Sequence, residues 1–112
     1  MALLVFSALF YWKISEPSKL PIAPPDFHVV VIGAGVSGIC VGRKLKSLGL
    51  RFTILEKSGS LGGTWWENTY PGCGCDIPSH LYSYSFSQNP AWSRNYSRQA
   101  EILDYLQQTA AK

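Results

Sequence analysis

Val29, Val30, Val31 and Ile32 form an uninterrupted apolar, largely β-branched run, the pattern of a parallel strand covered on both faces. The pattern then changes period. From Val36 to Leu50 the apolar residues Val36, Ile39, Cys40, Leu45 and Leu48 recur at helical spacing, with Arg43, Lys44 and Lys46 left for the solvent side and Gly49 closing the helix. Arg51-Phe52-Thr53-Ile54-Leu55-Glu56 reads as a second strand that ends on a carboxylate, so residues 28–56 predict a strand, helix, strand unit. Further on, alternation from Leu81 places Tyr82, Tyr84 and Phe86 on one face of an extended segment, with Ser83 and Ser85 on the other. A last helix is predicted from about Arg98 to Ala110, with Ser97 as its N-cap and Ile102, Leu103, Leu106 and Ala110 as its apolar face. Glu101, Asp104, Gln107 and Gln108 stay wet, and the stripe requires a partner surface that this reading places beyond Lys112.

The joint between the first strand and helix is Gly33-Ala34-Gly35-Val36-Ser37-Gly38. Gly33 permits a tight turn, Gly35 permits close backbone approach to a pyrophosphate, and Gly38 lets helix and strand lie close together. The helix N-terminus then offers free N–H groups and a positive dipole end to an anion. A glycine turn of this spacing also occurs in unrelated α/β units. What separates the two readings is an acidic residue about twenty positions on, and Glu56 stands there. A carboxylate at a strand end accepts hydrogen bonds from both ribose hydroxyls of an adenosine and repels a 2′-phosphate, so this site favours FAD or NAD over NADP.

After Glu56, Lys57-Ser58-Gly59-Ser60-Leu61-Gly62-Gly63-Thr64-Trp65-Trp66 is too rich in glycine and aromatic rings to be a plain connection. Gly62 and Gly63 admit a close backbone, Thr64 offers a hydroxyl, and Trp65 and Trp66 offer flat faces that either wall an aromatic cofactor or cover the sheet. Tyr70-Pro71-Gly72 is a turn. Asp76, among turn residues, either accepts hydrogen bonds from a cofactor or nicotinamide amide or stabilises its own turn.

Length and composition add boundaries. The 112 residues, 46% hydrophobic and 15% charged, suit one small globular unit. Two parallel strands are too few for a complete doubly wound domain, which points to a fragment. The net charge of +3 comes from scattered basic residues, which argues against nucleic-acid binding. Residues 1–14 form an apolar leader. As a helix, its first twelve residues reach about 18 Å, short of the roughly 30 Å hydrocarbon core, so it reads as a short anchor or membrane-surface helix, or as an apolar extension that packs elsewhere. Lys13 and Lys19 behind an anchor would hold the remainder in the cytoplasm. Residues 15–25, with Pro17, Pro21, Pro24 and Pro25, form a stiff linker, and the folded unit spans residues 26–112. Cys40, Cys73 and Cys75 have neither zinc nor thioredoxin spacing and read as reduced intracellular thiols; His28 and His80 are isolated, so no metal site is expected.

The succession GAGVSG, Glu56, GGTW, YPG, CD-x-PSH-x-Y-S-x-SF and W-S…Y…Q-x-EIL-x-YL resembles the N-terminal segment of class B flavin-dependent monooxygenases, and within them Baeyer–Villiger monooxygenases. The likeness runs from about Phe27 to Ala110. It implies an α/β fold: an incomplete Rossmann-like FAD-binding βαβ unit, the N-terminal fragment of a flavoprotein with two dinucleotide-binding domains. By the same resemblance Gly33, Gly35 and Gly38 hold the FAD pyrophosphate, Glu56 binds the adenosine ribose, Thr64, Trp65, Trp66 and Glu67 lie along the flavin, and Val36, Ser37, Lys57 and Gly63 belong to the same cofactor-binding set. Asp76 sits between flavin and nicotinamide, and Tyr82 contacts FAD. Many Baeyer–Villiger members carry arginine where this chain has Gly74, a departure that bears on one NADP contact. The implied chemistry uses FAD, NADPH and O₂ to insert one oxygen atom into a small-molecule ketone or soft heteroatom. The second glycine-rich site and the active-site arginine of that family lie outside these residues, so the chain alone is not expected to turn over, and no catalytic residue is assigned within it. The competing reading is a truncated, non-catalytic remnant or interaction module that keeps the motif.

Overall fold

The computed structural model describes residues 26–112. The apolar leader and the proline-rich stretch fall outside the described residues. Within them the order is β1 (Val29–Ile32), α1 (Val36–Ser47), β2 (Phe52–Leu55), α2 (Thr64–Glu67) and α3 (Gln99–Ala110).

β1 and β2 pair in parallel, Val29 opposite Phe52 through Ile32 opposite Leu55. A parallel pair needs a crossover, and α1 supplies it. The helix lies on the face that carries Val31, Phe52 and Ile54, and it comes close because of two glycines. A Cβ on Gly38 would fall 1.9 Å from the Gly33 carbonyl oxygen, and one on Gly42 would fall 2.8 Å from Ile54 Cδ1. Gly42 was not singled out by the pattern, although it sits one turn after Gly38. α1 ends as its sequence predicts. Gly49 adopts a φ of +67°, its N–H reaches Lys46 O at 3.1 Å and the Leu50 N–H reaches Leu45 O at 3.1 Å, a Schellman closure.

The strands are not covered on both faces. Val30 is 56% and Ile32 88% exposed, and Leu55 is 54% exposed, because among the described residues only α1 packs on this two-stranded ribbon. Cys40 and Leu48, expected on the apolar face of α1, are also exposed.

The main core lies instead between α1, α2 and α3, where Ile39, Trp65, Cys73, Trp92, Ile102, Tyr105 and Leu106 cluster. α3 therefore finds its partner within the chain, not beyond Lys112. Its buried face is Ile102, Tyr105, Leu106 and Thr109, while Ala110 is exposed. Each large apolar side chain buried here contributes about 1.5–3 kcal/mol.

Residues 68–98 carry no helix or strand, and hydrogen bonds fold them back on the start of α3. The Cys75 N–H donates to Ser97 O at 3.1 Å, the Gln99 N–H to Cys73 O at 3.0 Å, and the Arg98 guanidinium to Gly72 O at 2.7 Å. Ser97 is not the N-cap; Arg98 takes that position without a side-chain cap. Ser97 is fully buried and pairs with Ser79 instead, the Ser79 hydroxyl donating to Ser97 Oγ at 2.8 Å and accepting the Ser97 N–H at 2.9 Å. Tertiary burial thus took a residue that local preference assigned to a cap.

The predicted extended run 81–86 is a series of turns. The Tyr82 N–H bonds back to Pro78 O at 2.9 Å and the Ser87 N–H to Tyr84 O at 3.1 Å. Tyr84 and Phe86 stack with ring centroids 4.8 Å apart, so the aromatic residues meet by turning rather than by alternation.

Gly38→Ala and Gly42→Ala separate the two close approaches. The first drives a methyl into a backbone carbonyl and should cost about 3 kcal/mol; the second meets the movable tip of Ile54 and should cost about 1 kcal/mol. Urea unfolding followed by circular dichroism measures both, and equal losses would contradict the assignment.

Candidate functional site

The glycine turn, the end of β2 and the Gly62-Gly63 loop meet at the main chain of a single residue, Ala34. Its N–H donates to Glu56 Oε2 at 2.6 Å, and its carbonyl accepts the Gly62 N–H at 2.9 Å. The other Glu56 oxygen accepts the Ser58 N–H at 2.9 Å. These backbone donors, Ala34 first, hold the Glu56 carboxyl below its ordinary pKa, so it is ionised at neutral pH. An ionised carboxylate has about four acceptor positions and no donor, so it meets a ligand only as an acceptor of hydroxyl protons.

Gly33 turns the chain with a φ of +94°. α1 then starts at Val36 without a side-chain cap and without an acidic residue in its first turn. The first helical bond is Ile39 N–H to Gly35 O at 3.0 Å, which leaves the amides of Val36, Ser37 and Gly38 as the free donors of a helix N-terminus. No acidic residue in the first turn offsets the positive pole of this twelve-residue helix.

This end faces a cleft of about 400 Å³, within the size range of small-molecule sites. Gly33, Gly35, Val36, Ser37, Gly38, Gly63, Thr64, Trp65 and Tyr82 line it, joined by Ile32 and Gly62. Nine of the fourteen residues assigned from sequence thus share one cavity. The two loops cross glycine on glycine. A Cβ on Gly63 would stand 3.0 Å from Gly35 Cα, and Gly63 itself has a φ of +54°. A Cβ on Gly35 would meet Gly63 Cα at 3.6 Å, an ordinary contact. The protein would accept a methyl at position 35, and what the glycine keeps bare is the floor of the cleft. The uncapped helix end, the bare floor and the ionised carboxylate suit a pyrophosphate joined to a ribose.

The loop expected at residues 57–66 closes with α2, a single helical turn. Trp65 is buried and its indole N–H donates to the Tyr82 hydroxyl at 3.1 Å, with the rings edge to face at 5.8 Å. An indole N–H can only donate, so the Tyr82 oxygen is the acceptor there. Its own proton remains free to be donated to a ligand. Tyr84 braces the same corner through its hydroxyl on Val36 O at 2.6 Å, and burial pushes that hydroxyl above its ordinary pKa, keeping it a donor.

The other assigned residues lie outside the lining. Glu56 reaches it through the Ala34 peptide. Lys57 and Glu67 pair with each other at 3.0 Å on the surface, and Ser58 Oγ donates to the same Glu67 oxygen at 3.2 Å. Trp66 is 38% exposed, so of the two tryptophans only Trp65 walls the cleft. Asp76 is exposed in its turn. Ala34 and Gly62 were not assigned to the site. Ala34 acts through its main chain, which leaves no side-chain signal, whereas Gly62 was legible as half of a glycine pair.

Residues 31–99 match the NAD(P)-binding Rossmann-like domain family. The chain belongs to that family. Among curated relatives, a Baeyer–Villiger monooxygenase of Streptomyces coelicolor is 51% identical over 84 residues, 74% of this chain and 16% of its own length. An FAD-binding monooxygenase of Botryotinia fuckeliana is 44% identical over 102 residues, 86% of this chain and 19% of its own. Among solved structures, an oxidized steroid monooxygenase bound to NADP superposes with a TM-score of 0.71 at 44% identity, over 74% of this chain and 17% of that one. The resemblance to Baeyer–Villiger monooxygenases read from the motifs is thereby borne out, and this Rossmann-like chain spans less than a fifth of the length of each of these relatives. Among the described residues no helix is long and apolar enough to cross a membrane, and the leader proposed as an anchor lies outside them.

The Glu56 clamp has a pH signature. A carboxyl with a depressed folded pKa adds stability above its unfolded value, near 4.5, and loses it as pH falls through the folded value. Glu56→Gln should therefore be less stable than the parent chain at pH 7, with the gap closing as pH drops below 4. Chemical denaturation across that range measures it; a gap independent of pH would remove the clamp from the account.

Proposed function

We propose that this chain is the N-terminal FAD-binding part of an FAD- and NADPH-dependent monooxygenase that inserts one oxygen atom from O₂ into a ketone or a soft heteroatom. The observation that supports it most is the cleft itself: an uncapped helix end and a glycine floor on one cavity, with an ionised Glu56 tied beside them through the Ala34 N–H. The FAD-binding and NADP-bound relatives point the same way.

In this reading the amides of Gly35, Val36, Ser37 and Gly38 hold the pyrophosphate, and the Glu56 carboxylate accepts from the ribose hydroxyls. Trp65 stands against the ring system and keeps water off it, and Tyr82 donates its free proton to an acceptor on the cofactor. FAD supplies the redox and oxygen chemistry when bound. The side chains present bind, orient and exclude water. NADPH is held mainly by residues beyond those here. Gly74 leaves no side chain at the place where many relatives have arginine, and a Cβ there would stand 3.0 Å from Ser97 O. Oxygen insertion requires that further part of the protein, and the chain alone holds flavin without turnover. Its cysteines, all free, suit a reducing compartment such as the cytoplasm.

Titration of the 112-residue chain with FAD, followed by flavin fluorescence, tests the reading. Gly35→Ala should keep the far-ultraviolet circular dichroism of the parent and weaken FAD binding at least tenfold, about 1.4 kcal/mol. Glu56→Ala should lose flavin on dialysis. A chain that stays colourless in saturating FAD would instead favour a non-catalytic remnant that retains the motif.

A further inference from the structure

We propose that Gln99, which lines no part of the cleft, is a positioning residue for it and acts through Trp65. α2 is one turn long, so its last carbonyls lack the partners that a longer helix provides. Thr64 O is satisfied from nearby, by the Asn68 N–H at 3.0 Å and the Asn68 side-chain amide at 3.1 Å. Trp65 O is satisfied from a distant element, by the side-chain amide of Gln99.

Gln99 is well placed to act as an anchor. It is the first residue of α3, its main-chain N–H is tied to Cys73 O at 3.0 Å, and the helix behind it is rooted by the buried Ile102 and Leu106. α3 also bears on the glycine loop, because a Cβ at Gly62 would lie 2.5 Å from Leu103 Cδ1. Trp65 is thus held at two ends, at its carbonyl by Gln99 and at its indole N–H by Tyr82. With both ends fixed, the ring has one orientation toward the cleft. Released at the carbonyl, α2 keeps few constraints of its own, since a single turn does not persist unaided.

The chemistry at position 99 is restrictive. The group must donate a hydrogen to a carbonyl at the reach of a glutamine side chain. Asparagine is one methylene short, methionine has the length without a donor, and glutamate donates only when protonated.

The ligand in this inference rests on the FAD reading above, but the positioning can be read without it. In the ¹⁵N-labelled 112-residue chain, with the Trp65 indole resonance assigned from a Trp65→Phe spectrum, Gln99→Met should shift that resonance and speed its hydrogen exchange at least tenfold. The β1 and β2 amides should stay in place, and FAD affinity should fall about fivefold. Gln99→Glu should match Gln99→Met at pH 7.5 and move back toward the parent spectrum only as pH falls to about 4, where a glutamate side chain gains its proton, a recovery that a loss of packing alone would not give. A Trp65 resonance and an FAD affinity unchanged in Gln99→Met would overturn the proposal, as would a Gln99→Glu spectrum indifferent to pH. If Gln99→Met does not fold, the Gln99→Glu titration decides. If the parent chain takes up no FAD, the functional reading fails while the indole measurements still decide the role of Gln99.

Discussion

Three segments of this chain are held in register by the main chain of one residue. The Ala34 N–H binds the Glu56 carboxylate and the Ala34 carbonyl binds the Gly62 N–H, so the strand end, the phosphate-type turn and the second glycine loop are fixed together. The first of these bonds is charge-assisted, the stronger kind, and it orients a carboxylate that is also half of the proposed ligand's recognition. Structure and recognition draw on the same group. Remove the carboxylate and the turn loses its lock as well as the proposed ribose acceptor.

Electrostatics around Ala34 divide the cleft into two regions. At the start of α1 the helix pole and its free amides favour negative charge, whereas at the end of β2 an ionised carboxylate favours neutral hydroxyl donors and repels anions. A dinucleotide with phosphate in the middle and an unphosphorylated ribose beside it matches both. The remaining wall is aromatic and oriented, with Trp65 and Tyr82 locked edge to face by a hydrogen bond whose direction leaves one proton for the ligand.

α3 gives the cleft its rigidity although it contributes nothing to its lining. It buries Ile102, Tyr105 and Leu106 against α1 and α2, and it gathers residues 68–98 through Cys73, Cys75 and Ser97. The ribbon β1–β2 is the opposite case, with Val30, Ile32 and Leu55 open on the side that α1 does not reach.

The sequence by itself determined the βαβ unit and singled out most of the residues that line the cleft. Local rules are strong there: a β-branched run, three glycines at set spacing, a helical period and a carboxylate at a strand end each have one natural conformation, and they agree. It also ordered the motifs well enough to reveal the family. The tertiary structure decided what depends on competition between distant groups. Ser97 was a plausible cap until the buried Ser79 hydroxyl claimed it, the alternating run at residues 81–86 became turns because the Pro78 carbonyl took the amides of Leu81 and Tyr82 and the Tyr105 hydroxyl took that of Tyr84, and Trp65 was separated from Trp66 by the side each presents after one helical turn. The bond from Gln99 to the Trp65 carbonyl joins residues that are 34 positions apart, and the Ala34 lock uses main-chain atoms common to every residue. Neither leaves a mark in a local pattern, because periodicity records which side chains are buried and not which backbone groups find partners far along the chain.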